Sequence, residues 1–167
     1  MGRGRDVEFT EFAVGSLRDL RRTAYLVCGD WHLAEDLAQD ALIRVYRSWD
    51  RIERRESLAG YARRTTVRLA IDHARKPRRR ERPGPVPDRV VTDATADLGE
   101  RDEVTQALAT LAPRQRACLV LRFHLDCTVA ETARVLGCSE GTVKSQTSDA
   151  LTRLRAALGV STERRSR

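Results

Sequence analysis

The sequence predicts an all-α fold of two small helical domains joined by a flexible linker. Apolar residues recur every three to four positions on both sides of a central break, the spacing that lays one stripe along a helix. No segment sustains the alternation of apolar and polar residues that a half-buried strand needs. Four of the five prolines crowd into residues 77–87, where almost no apolar residue is available to build a core.

Phe9 to Cys28 reads as a first helix that stops near Gly29. Leu33, Leu37, Ala38, Ala41, Leu42, Val45, Trp49 and Ile52 then trace one face of an amphipathic helix of about five turns. Its other face carries Asp36, Gln39, Asp40, Arg44 and Arg47. Ser57 stands where an N-cap is needed for a third helix. In that helix Leu58, Tyr61, Ala62, Thr65, Leu69 and Ala70 continue the apolar stripe, and Arg63, Arg64, Arg68, Arg75 and Lys76 fill other positions. These elements define a first domain at residues 9–76, followed by the linker at 77–101 and a second domain at 102–158. There Val104, Ala107, Leu108 and Leu111 make a short helix, and Pro113 sits in the first turn of another that runs to about Phe123. The stretch from Val129 to Leu136 forms a short helix, Gly137-Cys138-Ser139 a tight turn, and Glu140 to Leu158 a long helix. Gly137 serves as C-cap of the first and Ser139 as N-cap of the second, so the three pieces read as a helix-turn-helix.

On the long helix, Val143, Thr147, Ala150, Leu151, Leu154 and Leu158 fall on one side and are expected to pack inward. The opposite side holds Thr142, Ser145, Ser148, Asp149 and Thr152, with Lys144 and Gln146 at its edges. Small hydroxyl and amide groups with one ammonium suit the floor of a major groove, where they meet base edges and phosphates. The alternative is the solvated face of an ordinary helical hairpin, and the helix-turn-helix pattern favours DNA over it.

Lys and Arg outnumber Asp and Glu by 31 to 24, a formal net charge of +7, which favours a polyanionic partner. With 41% hydrophobic and 33% charged residues, the chain is too apolar to be wholly disordered and too charged for a membrane protein. Its longest apolar runs, such as Ala24 to Cys28, are five residues, short of both a secretory core and the roughly 20 residues of a bilayer span. No direct membrane insertion and a cytoplasmic location are therefore expected. Cys28, Cys118, Cys127 and Cys138 are scattered without a C-x-x-C pair, which favours reduced thiols. Cys28 with His32 and His124 with Cys127 stand about one helical turn apart, but the second pair straddles a predicted helix end, so no metal and no cofactor are expected. No Ser/His/Asp grouping or glycine-rich phosphate loop is present, and an enzyme is not expected.

Two motifs carry a resemblance to a known family. Ala130-Glu131-Thr132-Ala133-Arg134-Val135-Leu136-Gly137-Cys138 followed by Ser139-Glu140-Gly141-Thr142-Val143-Lys144-Ser145 resembles region 4.2 of the extracytoplasmic-function (ECF) sigma factors of bacterial RNA polymerase. Leu33-Ala34-Glu35-Asp36-Leu37-Ala38-Gln39-Asp40-Ala41-Leu42-Ile43-Arg44-Val45-Tyr46 is similar to region 2.2 of that family. The resemblance covers about residues 9–158 in the family's order, and Leu20-Arg21-Arg22-Thr23-Ala24-Tyr25-Leu26 is similar to its SigE-like branch, common in actinobacteria. The resemblance makes the first domain a sigma region 2 bundle and the second a sigma region 4 helix-turn-helix.

That resemblance also implies roles for individual residues. Asp36, Gln39 and Asp40 match positions that bind the beta-prime clamp of core polymerase, where carboxylates and an amide can accept hydrogen bonds from a basic coiled coil. Arg54 and Arg55 in the loop from Arg51 to Glu56, with Arg63, Arg64 and Arg68 on the next helix, match the regions that capture and melt the minus-ten element. Thr142, Lys144, Ser145, Gln146, Ser148 and Asp149 match the face that reads the minus-thirty-five element. Partners implied are the beta-prime clamp and beta flap of RNA polymerase core, promoter DNA, and an anti-sigma factor. Three residues depart from the family pattern: Arg68 stands where Asn is frequent, and Gln146 and Asp149 where Arg is frequent. Gln can pair bidentately with adenine, whereas Asp repels phosphate and accepts only from base amino groups, so an unusual minus-thirty-five sequence is expected. The rival readings are a dimeric helix-turn-helix repressor and, among enzymes, a Cys/His metal hydrolase.

Overall fold

Gly29 and Asp30 make the first sharp corner. Gly29 takes the left-handed conformation, with φ of +72°, and Asp30 Oδ1 accepts from the backbone N–H of His32 at 2.8 Å and of Leu33 at 3.0 Å. This corner separates α1 (Gly2–Cys28) from α2 (Trp31–Arg47). The computed structural model describes residues 2–52, 58–76 and 102–160, and no strand occurs among the described residues. The later helices are α3 (Leu58–Arg75), α4 (Asp102–Ala109), α5 (Pro113–Leu119), α6 (Val129–Leu136) and α7 (Glu140–Ala157). The linker at 77–101, the N-cap expected at Ser57 and the loop arginines Arg54 and Arg55 lie outside the described residues.

Several elements differ from the sequence expectation. Helix α1 begins at Gly2 rather than Phe9, because its first turns gain tertiary partners: Arg5 pairs with Asp50 at 2.7 Å and donates to the Tyr46 carbonyl at 2.9 Å. Helix α2 does not run to Ile52. The Ser48 N–H is shared between the carbonyls of Arg44 and Val45, both at 3.1 Å, and the chain tightens into a 3₁₀ turn at Trp49–Arg51. The helix that Pro113 opens also changes pitch, passing from α5 into a π turn at Val120–His124. Val104 and Leu158 are exposed instead of inward, Leu158 because it caps the end of α7 beyond the reach of the core.

The first module closes around Leu20, Val45, Trp49, Leu58 and Ala62, with Phe9 and Phe12 edge-on or tilted against Trp49 at 5.4 and 5.7 Å. In the second, Leu108, Leu111, Leu119 and Ala150 form a cluster that Leu151 and Leu154 cover. A third cluster joins the two modules: Ala24, Val27, Val67 and Ile71 from α1 and α3 are buried together with Cys118, Leu121, Cys127 and Leu136. Leu26 of α1 also packs on the second module's cluster. The two halves of the chain are thus docked through direct apolar contact.

Gly137 holds the helix-turn-helix corner in the left-handed conformation, with φ of +61°, and the Cys138 N–H donates to the Ala133 carbonyl at 3.1 Å. A Cβ there would meet nothing, so only the backbone conformation resists substitution. Gly137→Ala should therefore cost about 1–2 kcal/mol by urea unfolding. A change under a few tenths would show that the corner relaxes freely.

Candidate nucleic-acid interface

Three surfaces carry the residues singled out from the sequence. On α2, Ala34, Leu37, Ala38, Ala41 and Val45 are buried, so the helix turns Asp36, Gln39 and Asp40 together into solvent. Gln39 Nε2 reaches Glu35 Oε1 at 3.5 Å, and Glu35 is tied to Arg21 of α1 at 3.0 Å. Ile43 lies seven positions after Asp36 on the same face and is 49% exposed. An apolar residue among acidic neighbours on an open face is the feature that sequence reasoning missed there, although its spacing from Asp36 is legible.

On α3 the three minus-ten candidates Arg63, Arg64 and Arg68 do not form one open cluster. Arg63 Nε is bonded to Asp19 Oδ2 of α1 at 2.5 Å, with both side chains about two-fifths exposed. Arg64 lies over Gly60, and its positive charge adds to the lowering of the Glu131 carboxyl of the second module. Arg68 is exposed.

In the second module, α6 opens with a reciprocal cap. Thr128 Oγ1 accepts from the Glu131 N–H at 3.1 Å, and Glu131 Oε2 accepts from the Thr128 N–H at 2.7 Å. That backbone hydrogen bond holds the Glu131 carboxyl below its ordinary range. Ser139 opens α7 by accepting from the Thr142 N–H at 3.1 Å. Val143 and Ala150 are fully buried, which points Lys144, Ser145, Ser148 and Asp149 outward. Thr142 and Gln146 are half-buried, and the Thr142 hydroxyl lies 2.9 Å from Ser139 Oγ, so Thr142 is partly committed to the cap.

The four cysteines are free thiols, and burial pushes Cys118 up to about 11. Among the described residues, no three His, Cys, Asp or Glu side chains converge as metal ligands. No helix among them is long and apolar enough to cross a membrane.

The second module, with its short helix, left-handed glycine corner and outward polar face on α7, has the helix-turn-helix form used to read DNA. Sigma-70 region 2 matches residues 14–80, and Sigma-70, region 4 matches residues 101–154. An RNA polymerase sigma-E factor of Streptomyces avermitilis is 36% identical over 159 residues, covering 95% of this chain and 89% of that protein. The ECF RNA polymerase sigma factor SigM of Mycobacterium tuberculosis is 32% identical, covering 85% of this chain and 72% of that protein. Among solved structures, the sigma factor RpoE of Bartonella quintana, crystallised with the anti-sigma factor NepR, aligns with a TM-score of 0.68 and 25% identity. It covers 92% of this chain and 98% of that one. The chain belongs to the ECF sigma factors of the sigma-70 family. The dimeric repressor reading finds no support in these relatives.

Proposed function

We propose that this sigma factor joins RNA polymerase core through the α2 face of Asp36, Gln39, Asp40 and Ile43, and directs it to promoters with both modules. The observation that carries the reading is the joint exposure of those α2 residues in a chain whose relatives are RNA polymerase sigma factors. Carboxylates fixed on a rigid helix can accept charge-assisted hydrogen bonds from a basic clamp, and Ile43 adds apolar contact beside them. Arg63, Arg64 and Arg68, with Arg54 and Arg55 from the preceding loop, take the minus-ten strand. Thr142, Lys144, Ser145, Gln146, Ser148 and Asp149 face the minus-thirty-five element, and the second module also meets the beta flap. An anti-sigma factor restrains the protein, which works in the cytoplasm, needs no cofactor and is not itself an enzyme. Added to core polymerase and promoter DNA, the protein should start RNA synthesis. Failure to start RNA from any of a randomised promoter pool would overturn the reading.

Asp149 and Lys144 separate base reading from backbone contact on α7. If Asp149 accepts from one base amino group, Asp149→Ala should relax the choice at a single position by about 1–3 kcal/mol. If it only repels phosphate, the same change should tighten binding at every sequence. Lys144→Ala should weaken all sites alike and flatten the salt dependence by about one unit of slope. Selection from randomised minus-thirty-five elements reads both, and unchanged profiles and affinities would remove α7 from the DNA interface.

A further inference from the structure

The first turns of α1 contain Gly2 and Gly4, both poor helix formers, and are held from outside by the far end of α2. The last four carbonyls of a helix find no partner within it, and Tyr46 stands in the last turn of α2. Arg5 meets that need from another helix. Its Nη2 donates to the Tyr46 carbonyl at 2.9 Å, its Nη1 pairs with Asp50 Oδ2 at 2.7 Å, and the guanidinium lies 4.7 Å above the centre of the Tyr46 ring. One residue on, the Asp6 carboxylate accepts from the Tyr46 hydroxyl at 2.9 Å, a bond that raises the tyrosine above its ordinary range and keeps it a donor. Phe9 sets its ring edge-on to the same tyrosine at 4.9 Å.

Asp50 connects this cluster to the 3₁₀ turn that ends α2. In that turn the Ser48 carbonyl accepts from the N–H of Arg51 at 2.9 Å and of Ile52 at 3.2 Å, and the chain then enters the loop that carries Arg54 and Arg55. The Arg5 and Asp50 side chains are 33% and 70% exposed, so their pairing adds little to stability. What it fixes is a direction.

We infer that Arg5, Asp6, Tyr46 and Asp50 are positioning residues for minus-ten capture, fixing the angle at which the chain leaves α2 and so placing the root of the loop that begins at Arg51. The inference rests on the assignment of that loop and of α3 to the minus-ten strand. Extruding a base costs unstacking energy, and a loop whose root is set beforehand adds less ordering cost to it.

The test reconstitutes the full chain with core polymerase on templates whose minus-ten element is randomised. Arg5→Gln removes the cation that joins Asp50 to the end of α2, and Asp50→Asn removes the same pair from its other side. Permanganate reactivity of unpaired thymines reads promoter opening, and sequencing of the opened templates reads base preference. Pull-down and thermal melting follow core capture and fold. The expected result for either variant is an unchanged melting midpoint and core capture, a flattened minus-ten preference, and opening reduced about tenfold as the competent placement falls to about a tenth of molecules. The double variant should open no less than Arg5→Gln alone, because both changes act through one pair. Arg5→Lys, which keeps a cation for Asp50, should recover part of the opening. Unchanged opening and preference in both single variants, with opening lowered by Arg68→Ala, would overturn the positioning role and leave the minus-ten assignment standing. Unchanged opening in Arg68→Ala as well would overturn that assignment and the inference with it. Opening lost together with the melting midpoint and core capture would show that the cluster only supports the fold, and would overturn the positioning role.

Discussion

Asp36→Arg combined with Asp40→Arg abolishes capture of core polymerase in a pull-down and leaves the circular dichroism unchanged. Both side chains are exposed on the side of α2 opposite its buried alanines and leucine, so the fold has no stake in their charge. At an interface, removing one partner of a hydrogen-bonded charge pair costs about 2–5 kcal/mol, and reversing its sign adds repulsion. Two reversals at the lower bound amount to about 4 kcal/mol, or roughly a thousandfold in affinity. Undiminished binding would remove α2 as the polymerase contact, while a lost helical signal would show that these positions support the fold.

Trp49→Ala should destabilise the first module by about 3–5 kcal/mol. Trp49 is 5% exposed and is wedged beneath Phe9 and Phe12 of α1, beside Val45 and Leu58. Its truncation leaves an indole-sized void that three converging helices cannot collapse into without moving α1. Since domains are stable by only about 5–15 kcal/mol in total, the urea midpoint should drop sharply and core polymerase binding should fall with it. A loss below about 1 kcal/mol would mean that the first turns of α1 do not cover Trp49.

The inward side of α7 was legible because Val143 and Ala150 follow the helical period and their neighbours are small and polar. The corner at Gly137 was legible from a glycine placed between two capped helices. The end of α2 was not, because Trp49 still packs inward after the helix has tightened into a 3₁₀ turn, so the apolar period outlives the element. The start of α1 was hidden for a different reason. Gly2 and Gly4 are poor helix formers, and the turns they belong to are held by Arg5 and Phe9 reaching residues some forty positions away. Val67 and Ile71 escaped notice because they fall among arginines, where the period of α3 assigns solvent, whereas α1, α2 and the second module together bury them. Of the candidate site, the exposure of Asp36, Gln39 and Asp40 could be read from spacing alone. The pairing of Arg63 with Asp19 and the commitment of Thr142 to the Ser139 cap are tertiary and local geometry that residue type does not disclose.

The distribution of aromatic rings gives the molecule an optical asymmetry. Trp31 and Trp49, with Tyr25, Tyr46 and Tyr61, all belong to α1–α3 or the turn after α2, and the second module contributes only Phe123. Near-ultraviolet emission is therefore a one-sided reporter. Trp49 registers the interior of the first module. Trp31, stacked on Tyr25 at 3.8 Å and packed against the shared cluster, sits where it senses the neighbouring half. Melting followed by emission tracks one half of the chain, while backbone dichroism counts both. If the two halves separate before either unfolds, the two signals should part on the temperature axis, with a shift in Trp31 emission arriving first.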